Sequence, residues 1–201
     1  NYRVPTFNDL YWNAGGNINL QPETSLQGEF GNVFTFKDLQ IDAAVFYIKS
    51  KDLIQWRPDQ TGVWIPSNVA EVMNYGAELS TVYRKTFGVH FLEFNANYAY
   101  TKAIDSEKKK QLIYVPFHNA TAQVSYNYKN ISASFQSLFT GMVYTTSDNK
   151  GTVDSYTVSN LGLEYTIYSK ALPITIGAKA NNIFNQFYEN VASRPMPGRN
   201  L

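Results

Sequence analysis

Leu92-Glu93-Phe94-Asn95-Ala96-Asn97-Tyr98-Ala99-Tyr100 decides how this chain is read. Leu92, Phe94, Ala96, Tyr98 and Tyr100 alternate with Glu93, Asn95, Asn97 and Ala99. A period of two sends each set to its own face of a β-strand. Ala120, Ala122, Val124, Tyr126 and Tyr128 repeat the pattern against Thr121, Gln123, Ser125 and Asn127. One face of these strands requires apolar surroundings and the other requires water. The apolar surroundings are either a protein core or a lipid bilayer, and the function depends on which.

Comparable stretches recur along the chain and predict about eight strands. The first is expected over 25–34, with Leu26, Gly28, Phe30 and Phe34 on one face. The second begins at Leu39, with Ile41, Ala43, Val45 and Tyr47 sharing its face and Gln40 and Asp42 opposite. The others are expected around 75–83, 89–101, 117–128, 131–144, 156–168 and from about 172, where Ile174, Ile176, Ala178 and Ala180 oppose Thr175, Gly177 and Lys179. Tyr156 and Val158 are out of phase with Leu161, Leu163, Tyr165 and Ile167, which predicts a bulge near Asn160. Residues 1–24 and Arg194 to Arg199 read as loop.

Short turns are expected at Lys37-Asp38, Arg84-Lys85-Thr86, Lys129-Asn130 and Ser169-Lys170. They alternate with long connections over about 55–68, 103–113 and 145–153. A meander with short turns at one end and long loops at the other is the pattern of outer-membrane barrels. Eleven residues at about 3.3 Å, tilted about 45°, rise roughly 25 Å, the height of the apolar band of such a barrel. Tyr47, Tyr83, Tyr100, Tyr128, Tyr144 and Tyr168 lie where an aromatic girdle would fall. A soluble sandwich or barrel also alternates, but its strands are usually shorter.

Composition narrows the function classes. The net charge is +1 and no cysteine is present, so nucleic acid, disulfides and cysteine–zinc chemistry are not expected. Lys108-Lys109-Lys110 follows Asp105 and Glu107 and reads as a solvated loop. No apolar run approaches the roughly 18–20 residues of a spanning helix, whereas a spanning strand needs only about 9–11. The chain opens on Asn1-Tyr2-Arg3 with no signal peptide, so a processed or cut beginning is expected.

Several segments resemble TonB-dependent outer-membrane receptors, in the C-terminal part of their barrel. Arg3-Val4-Pro5-Thr6-Phe7-Asn8-Asp9-Leu10-Tyr11 is similar to the family's R-x-P-x-x-x-x-L-Y segment. Gly16-Asn17-Ile18-Asn19-Leu20-Gln21-Pro22-Glu23-Thr24 is similar to G-N-P-x-L-x-P-E-x, with Ile18 in place of the usual Pro. Asn74-Tyr75-Gly76-Ala77-Glu78 resembles N-x-G-x-E, Pro116-Phe117-His118 resembles P-x-H, Asn182-Ile183-Phe184-Asn185 resembles N-L-F-N, and Pro197-Gly198-Arg199 resembles P-G-R. The wording of the first two motifs lies nearest the cobalamin-receptor branch.

The resemblance implies an all-β, antiparallel, up-and-down transmembrane barrel segment, about eight strands of a barrel of about 22. It implies that residues 1–201 are a C-terminal fragment, with the plug domain and earlier strands absent and a stub of the last strand at Asn200-Leu201. It implies uptake of a scarce nutrient across the Gram-negative outer membrane by TonB-dependent active transport. Cobalamin is the first candidate ligand and a ferric siderophore the second. The partners implied are TonB, through a region N-terminal to this segment, the nutrient and outer-membrane lipid. A passive porin, an outer-membrane enzyme and a soluble β-rich binding module are the alternatives.

No catalytic, cofactor or metal site is expected, and the protein is not expected to be an enzyme. His118-Asn119 evokes a Ser-His-Asn hydrolase, but a strand-opening histidine inside a barrel is the plainer reading. His90 stands beside a short turn without an obvious partner. Ser147-Asp148-Asn149-Lys150-Gly151 carries too little charge for a calcium loop and reads as a turn. Glu29, Glu78, Glu93 and Lys179 alternate to the polar face, where they line a lumen or pair with one another or with a plug. Trp56 and Trp64, in the longest connection, and Tyr11 and Trp12, in the opening loop, are the candidate ligand-contacting residues, because flat aromatic rings stack on a flat ligand. An outer aromatic girdle is the competing role for all four.

Overall fold

A computed structural model describes residues 1–13, 15–169 and 172–201. Its elements in chain order are β1 (Tyr2–Arg3), α1 (Phe7–Tyr11), β2 (Glu23–Phe36), β3 (Leu39–Pro58), β4 (Trp64–Phe87), β5 (His90–Asp105), β6 (Lys110–Gln111), β7 (His118–Tyr128), β8 (Ile131–Thr140), β9 (Val143–Tyr144), β10 (Thr152–Val153), β11 (Tyr156–Ile167), β12 (Ile174–Ala180), β13 (Glu189–Val191) and β14 (Arg194–Pro195). The sheet runs β1-β2-β3-β4-β5-β7-β8-β11-β12, with β6 paired to the margin of β5. Every pairing is antiparallel, so the expected all-β meander of eight long strands is the observed one.

Register explains why these residues build such a sheet. Phe36, Leu39, Tyr83, Phe94, Val124, Phe135, Leu161 and Ala180 are successive cross-strand partners through all eight long strands. The neighbouring row on the opposite face is Thr35, Gln40, Val82, Asn95, Gln123, Gln136 and Asn160. One face is therefore continuously apolar and the other polar. The apolar row begins at the turn end of β2 and β3 but reaches Ala180, the loop-end residue of β12. That climb is the stagger of strands tilted against a barrel axis.

The apolar face is open. Phe30, Val45, Leu163, Ile174 and Ile176 are each more than half exposed. The buried hydrophobic residues lie elsewhere, all at the loop end: Leu20, Ile54, Val69, Val72, Ala103, Leu112, Ile113, Val143, Val153 and Val158. Val69, Val72, Ala103 and Leu112 form a cluster with Leu53 and Val115 packed against it. The molecule thus has a two-faced sheet without a core and a lobe at one end that has one.

Several strand limits differ from expectation. The segment 55–68 is not a long loop: β3 continues to Pro58 and β4 starts at Trp64, with Trp56 paired to Pro66. Pro58, Gly62 and Pro66 punctuate the sequence as a loop would, but burial of Ile54, Pro66 and Val69 in the lobe holds the hairpin extended. Its tip is residues 59–63, closed by Asp59, whose Oδ1 accepts from Thr61 N, Thr61 Oγ1 and Val63 N at 2.8, 2.7 and 3.0 Å. Arg84, Lys85 and Thr86 belong to β4; the turn falls at Gly88-Val89, where Gly88 supplies φ +63°. Arg84 is held in the strand by Glu93 at 2.6 Å, and Lys85 by an ion pair with Asp38.

β5 extends to Asp105 because the Gln111 side chain accepts from Ala103 N at 3.0 Å. β8 stops at Thr140, one residue before Gly141, whose N–H makes the last ladder-like hydrogen bond, to His118 O at 2.8 Å, and Tyr144 lies in the β9–β10 pair instead of a girdle. The bulge near Asn160 is absent, and β11 pairs with β8 without a shift. Tyr156 and Val158 are apolar on the polar face because Val158 is buried and Tyr156 packs on Tyr188 at 4.7 Å. The turn at Lys37-Asp38 stands as expected, as does Lys129-Asn130. In the turn before β12, Lys170 lies outside the described residues.

Candidate functional site

The loop-end lobe is organised by buried polar side chains. Thr6 caps α1 and Asp9 completes a capping box: Thr6 N and Oγ1 donate to Asp9 Oδ2 at 2.9 and 2.8 Å, and Asp9 N donates to Thr6 Oγ1 at 3.2 Å. The second Asp9 oxygen accepts the Trp56 indole N–H at 2.8 Å. Burial pushes the Asp9 carboxyl up, but the Thr6 and Trp56 hydrogen bonds and the charge of Arg3 outweigh it. The group is held below the usual carboxylate range. A buried acid of this kind survives only because every oxygen is occupied.

The resemblance motifs prove to be mates. Arg3 of the first reaches Glu23 of the second with Nε and Nη2 at 2.9 and 2.6 Å, and Glu23 also accepts Ile54 N at 2.7 Å. Asn17 N donates to Asp9 O at 2.8 Å, and the Asn17 amide reaches Pro66 O at 3.2 Å. Gln21 and Asn68 exchange hydrogen bonds of 2.9 and 3.0 Å. The segment before β2 is thereby fastened to the projecting part of the β3–β4 hairpin. At the other end of the chain, buried Asn182 donates to Gln186 O and Pro197 O and accepts from Gln186 N. Asn185 accepts Arg199 N at 2.9 Å, which joins the N-I-F-N and P-G-R segments.

Between these lies a third hub. Gln111 bridges Ala103 N and Val115 O, and it exchanges backbone hydrogen bonds with the Asn149 side chain at 3.0 and 2.9 Å. Residues 147–151 form a plain turn, in which Asp148 accepts from Thr146 Oγ1 and Lys150 N. Among the described residues no group of three or more His, Asp or Glu side chains is arranged to hold a metal ion.

The four candidate aromatic residues fall in this lobe with different commitments. Tyr11 ends α1 and Trp12 follows it; both are more than half exposed, and the Tyr11 ring lies tilted against Phe7 at 5.0 Å. Trp64, on the first residue of β4 and not in a loop, is 40% exposed, with its ring 6.0 Å from Tyr114. Trp56, likewise on a strand, has its indole N–H engaged by Asp9. Sequence reading missed Tyr114, which has φ +57° and whose N–H donates to Tyr144 O. No periodicity marks it. Asp9 was missed as well, although a Thr three residues before an acid is the signal of a capping box.

Glu29, Glu78, Glu93 and Lys179 share the polar face, as expected. Glu93 is paired with Arg84 and Asn95 at 2.6 and 2.8 Å. Both histidines face the other way. His118 opens β7 on the apolar face, not inside, with Nδ1 2.7 Å from Tyr98 Oη and its ring against Tyr100. His90 does have partners: Nδ1 lies 2.6 Å from Tyr126 Oη, and the ring stacks on Phe87 and Tyr128 at 5.1 and 4.6 Å. Each histidine thus joins an aromatic belt, one near each end of the apolar face.

This geometry agrees with the comparisons. Residues 1–183 match the family described as TonB dependent receptor-like, beta-barrel. The chain belongs to the TonB-dependent receptor β-barrel family. It is 30% identical over 194 residues to the Vitamin B12 transporter BtuB of Vibrio vulnificus, a match covering 96% of this chain and 30% of that protein. In structure it superposes on the Copper transporter OprC with a TM-score of 0.79 at 19% identity, covering 98% of this chain and 33% of that one. It also superposes on the siderophore receptor PirA from Acinetobacter baumannii, with a TM-score of 0.68 at 18% identity, covering 92% and 31%. This receptor-barrel chain therefore spans about a third of the length of each. Family membership makes this sheet a segment of a receptor barrel wall, with its apolar and polar rows on opposite faces.

Proposed function

We propose that this chain is barrel wall and outer loop structure of a receptor that takes up a scarce nutrient across the Gram-negative outer membrane by TonB-dependent active transport. Residues 1–201 serve as the C-terminal part of the barrel, with plug and earlier strands supplied from elsewhere in the receptor. The observation that carries this reading is the pair of opposed rows. An unbroken apolar row on one face and an amide-rich row on the other suit a wall between lipid and a wet interior. Among the described residues the sheet ends at β1–β2 on one side and at β12 on the other without these edges pairing, which suits continuation into further strands.

Cobalamin is the favoured ligand and a ferric siderophore the second. Support for the order is the 30% identity to a protein named as a Vitamin B12 transporter. The lobe offers Tyr11, Trp12 and Trp64 as exposed flat surfaces for such a ligand, while Trp56 positions α1 through Asp9. The wall has no role as an enzyme in this reading. The test is ligand binding by the full-length receptor in detergent. Cyanocobalamin bound tightly, with loss on Trp12→Ala and Trp64→Ala, supports the order given. Siderophore binding with none of cobalamin reverses it.

A further inference from the structure

The lipid-facing side of the sheet carries two features that a barrel wall alone does not require. The first is a furrow of about 280 Å³, whose lining includes Leu79, Tyr98, Ala96, Ala120, Ala122 and Phe139. Register explains it. Leu79, Tyr98, Ala120 and Phe139 are successive partners, so a small residue stands between two rings. The next row toward the turns, Thr81, Ala96, Ala122 and Ser137, contains no large side chain. Tyr98 and Phe139 are two strand spacings apart, about 9.6 Å, which leaves room for one hydrocarbon chain.

The second feature is charge at the loop-side rim of the same face. Lys49 and Lys51 stand just beyond Tyr47 on β3, and Lys102 stands just beyond Tyr100 on β5, level with Tyr75 of the intervening β4. Lys49 Nζ lies 2.9 Å from Glu71, Lys51 is exposed, and Lys102 Nζ lies 5.9 Å above the Tyr75 ring. Glu71 is the one carboxylate on this face of these strands near the rim, so three ammonium groups outnumber it. Lys102 shares its face of β5 with Tyr98, four residues and about 13 Å along the strand from the furrow. Tyrosines with lysines beyond them mark the depth at which lipid headgroups lie.

We propose that furrow and lysines form one site for a phosphorylated membrane lipid of the outer leaflet, with an acyl chain between Tyr98 and Phe139 and the phosphate against Lys49 and Lys102. The inference rests on the outer-membrane reading above. The chemistry is a hydrocarbon chain joined to a phosphate; a basic patch without the furrow would bind free phosphate equally well.

The test uses the full-length receptor in phosphatidylcholine vesicles, with spin-labelled phosphatidic acid and spin-labelled phosphatidylcholine compared by the fraction held motionally restricted. The wild type is expected to prefer phosphatidic acid, by about fivefold per engaged lysine, the equivalent of about 1 kcal/mol each. Lys49→Gln with Lys102→Gln should remove that preference. Glu71→Gln should raise it, a direction that a merely structural ion pair does not give. Ala122→Phe should fill the furrow and release the bound chain. Insertion without lipid preference overturns this proposal alone, and failure to insert overturns the membrane reading beneath it. Loss of the preference to millimolar inorganic phosphate, with Ala122→Phe silent, overturns it in favour of a free-anion site.

Discussion

The open sheet and the loop-end lobe are made from the same strands and stabilised in opposite ways. Along β4, residues 75–83 carry an alternation in which Tyr75, Ala77 and Leu79 are left exposed, whereas Pro66, Val69 and Val72 of the same strand are almost wholly buried. The lobe supplies its own surroundings through Asp9, Gln111 and Asn182. In the proposed reading the wall takes its surroundings from lipid on one side and from the barrel interior on the other. A hydrophobic pattern therefore states what a surface needs, and only context states what meets it.

The largest expected effect follows from that contrast. Val124→Arg, in the middle of the apolar row, should cost about 2–4 kcal/mol in the bilayer, whereas Gln123→Arg, one residue away on the other face, should cost little. Urea unfolding of the full-length receptor in vesicles measures both; equal costs would break the comparison. Gly76→Ala comes next. A Cβ there would lie 1.9 Å from Tyr100 O, and backbone cannot yield cheaply, so a loss of about 1–3 kcal/mol is expected by the same assay.

Much of this organisation was legible in the sequence. The period of two gave the strands, their faces and the four charged residues of the polar face. Alternating turn lengths gave the meander. What was hidden is instructive. Pro58, Gly62 and Pro66 signalled a loop, and only the packing of Ile54 and Val69 shows why a strand persists through them. Tyr156 and Val158 signalled a bulge because a lobe-facing surface is apolar on the side where a wet interior would demand polarity. Both misreadings fall where the wall passes into the lobe. The motifs were visible as strings, but that Arg3 pairs with Glu23 and Asn185 with Arg199 required the fold.

Within the lobe, Val72→Ala should cost about 2 kcal/mol. Hydrogen exchange should then rise in residues 103–115 while β7 and β8 stay protected. Asp9→Asn should cost about 1 kcal/mol through the capping box and loosen α1 from the hairpin, read as a shift in Trp56 fluorescence. Asp9 also gives a pH dependence. Its folded pKa lies below the unfolded value of about 3.9, so its contribution is complete at neutral pH and is lost as pH falls through the folded value. The Trp56 signal of the wild type should therefore change only in strong acid, and that of Asp9→Asn should not follow. Smallest of all, Lys150→Ala breaks an exposed pair of 3.8 Å and should leave stability within about 0.5 kcal/mol.

The central claim is that the two rows meet different solvents. These 201 residues contain no cysteine, so in a full-length receptor cleared of any cysteine elsewhere, single cysteines can be placed and spin-labelled one by one along residues 120–127 of β7. Relaxation by oxygen, which concentrates in lipid, is compared with relaxation by a water-soluble nickel chelate. The account predicts an alternation of period two, with positions 120, 122, 124 and 126 favouring oxygen and 121, 123, 125 and 127 favouring the chelate. Equal access of the chelate to both sets, or no alternation at all, would contradict it.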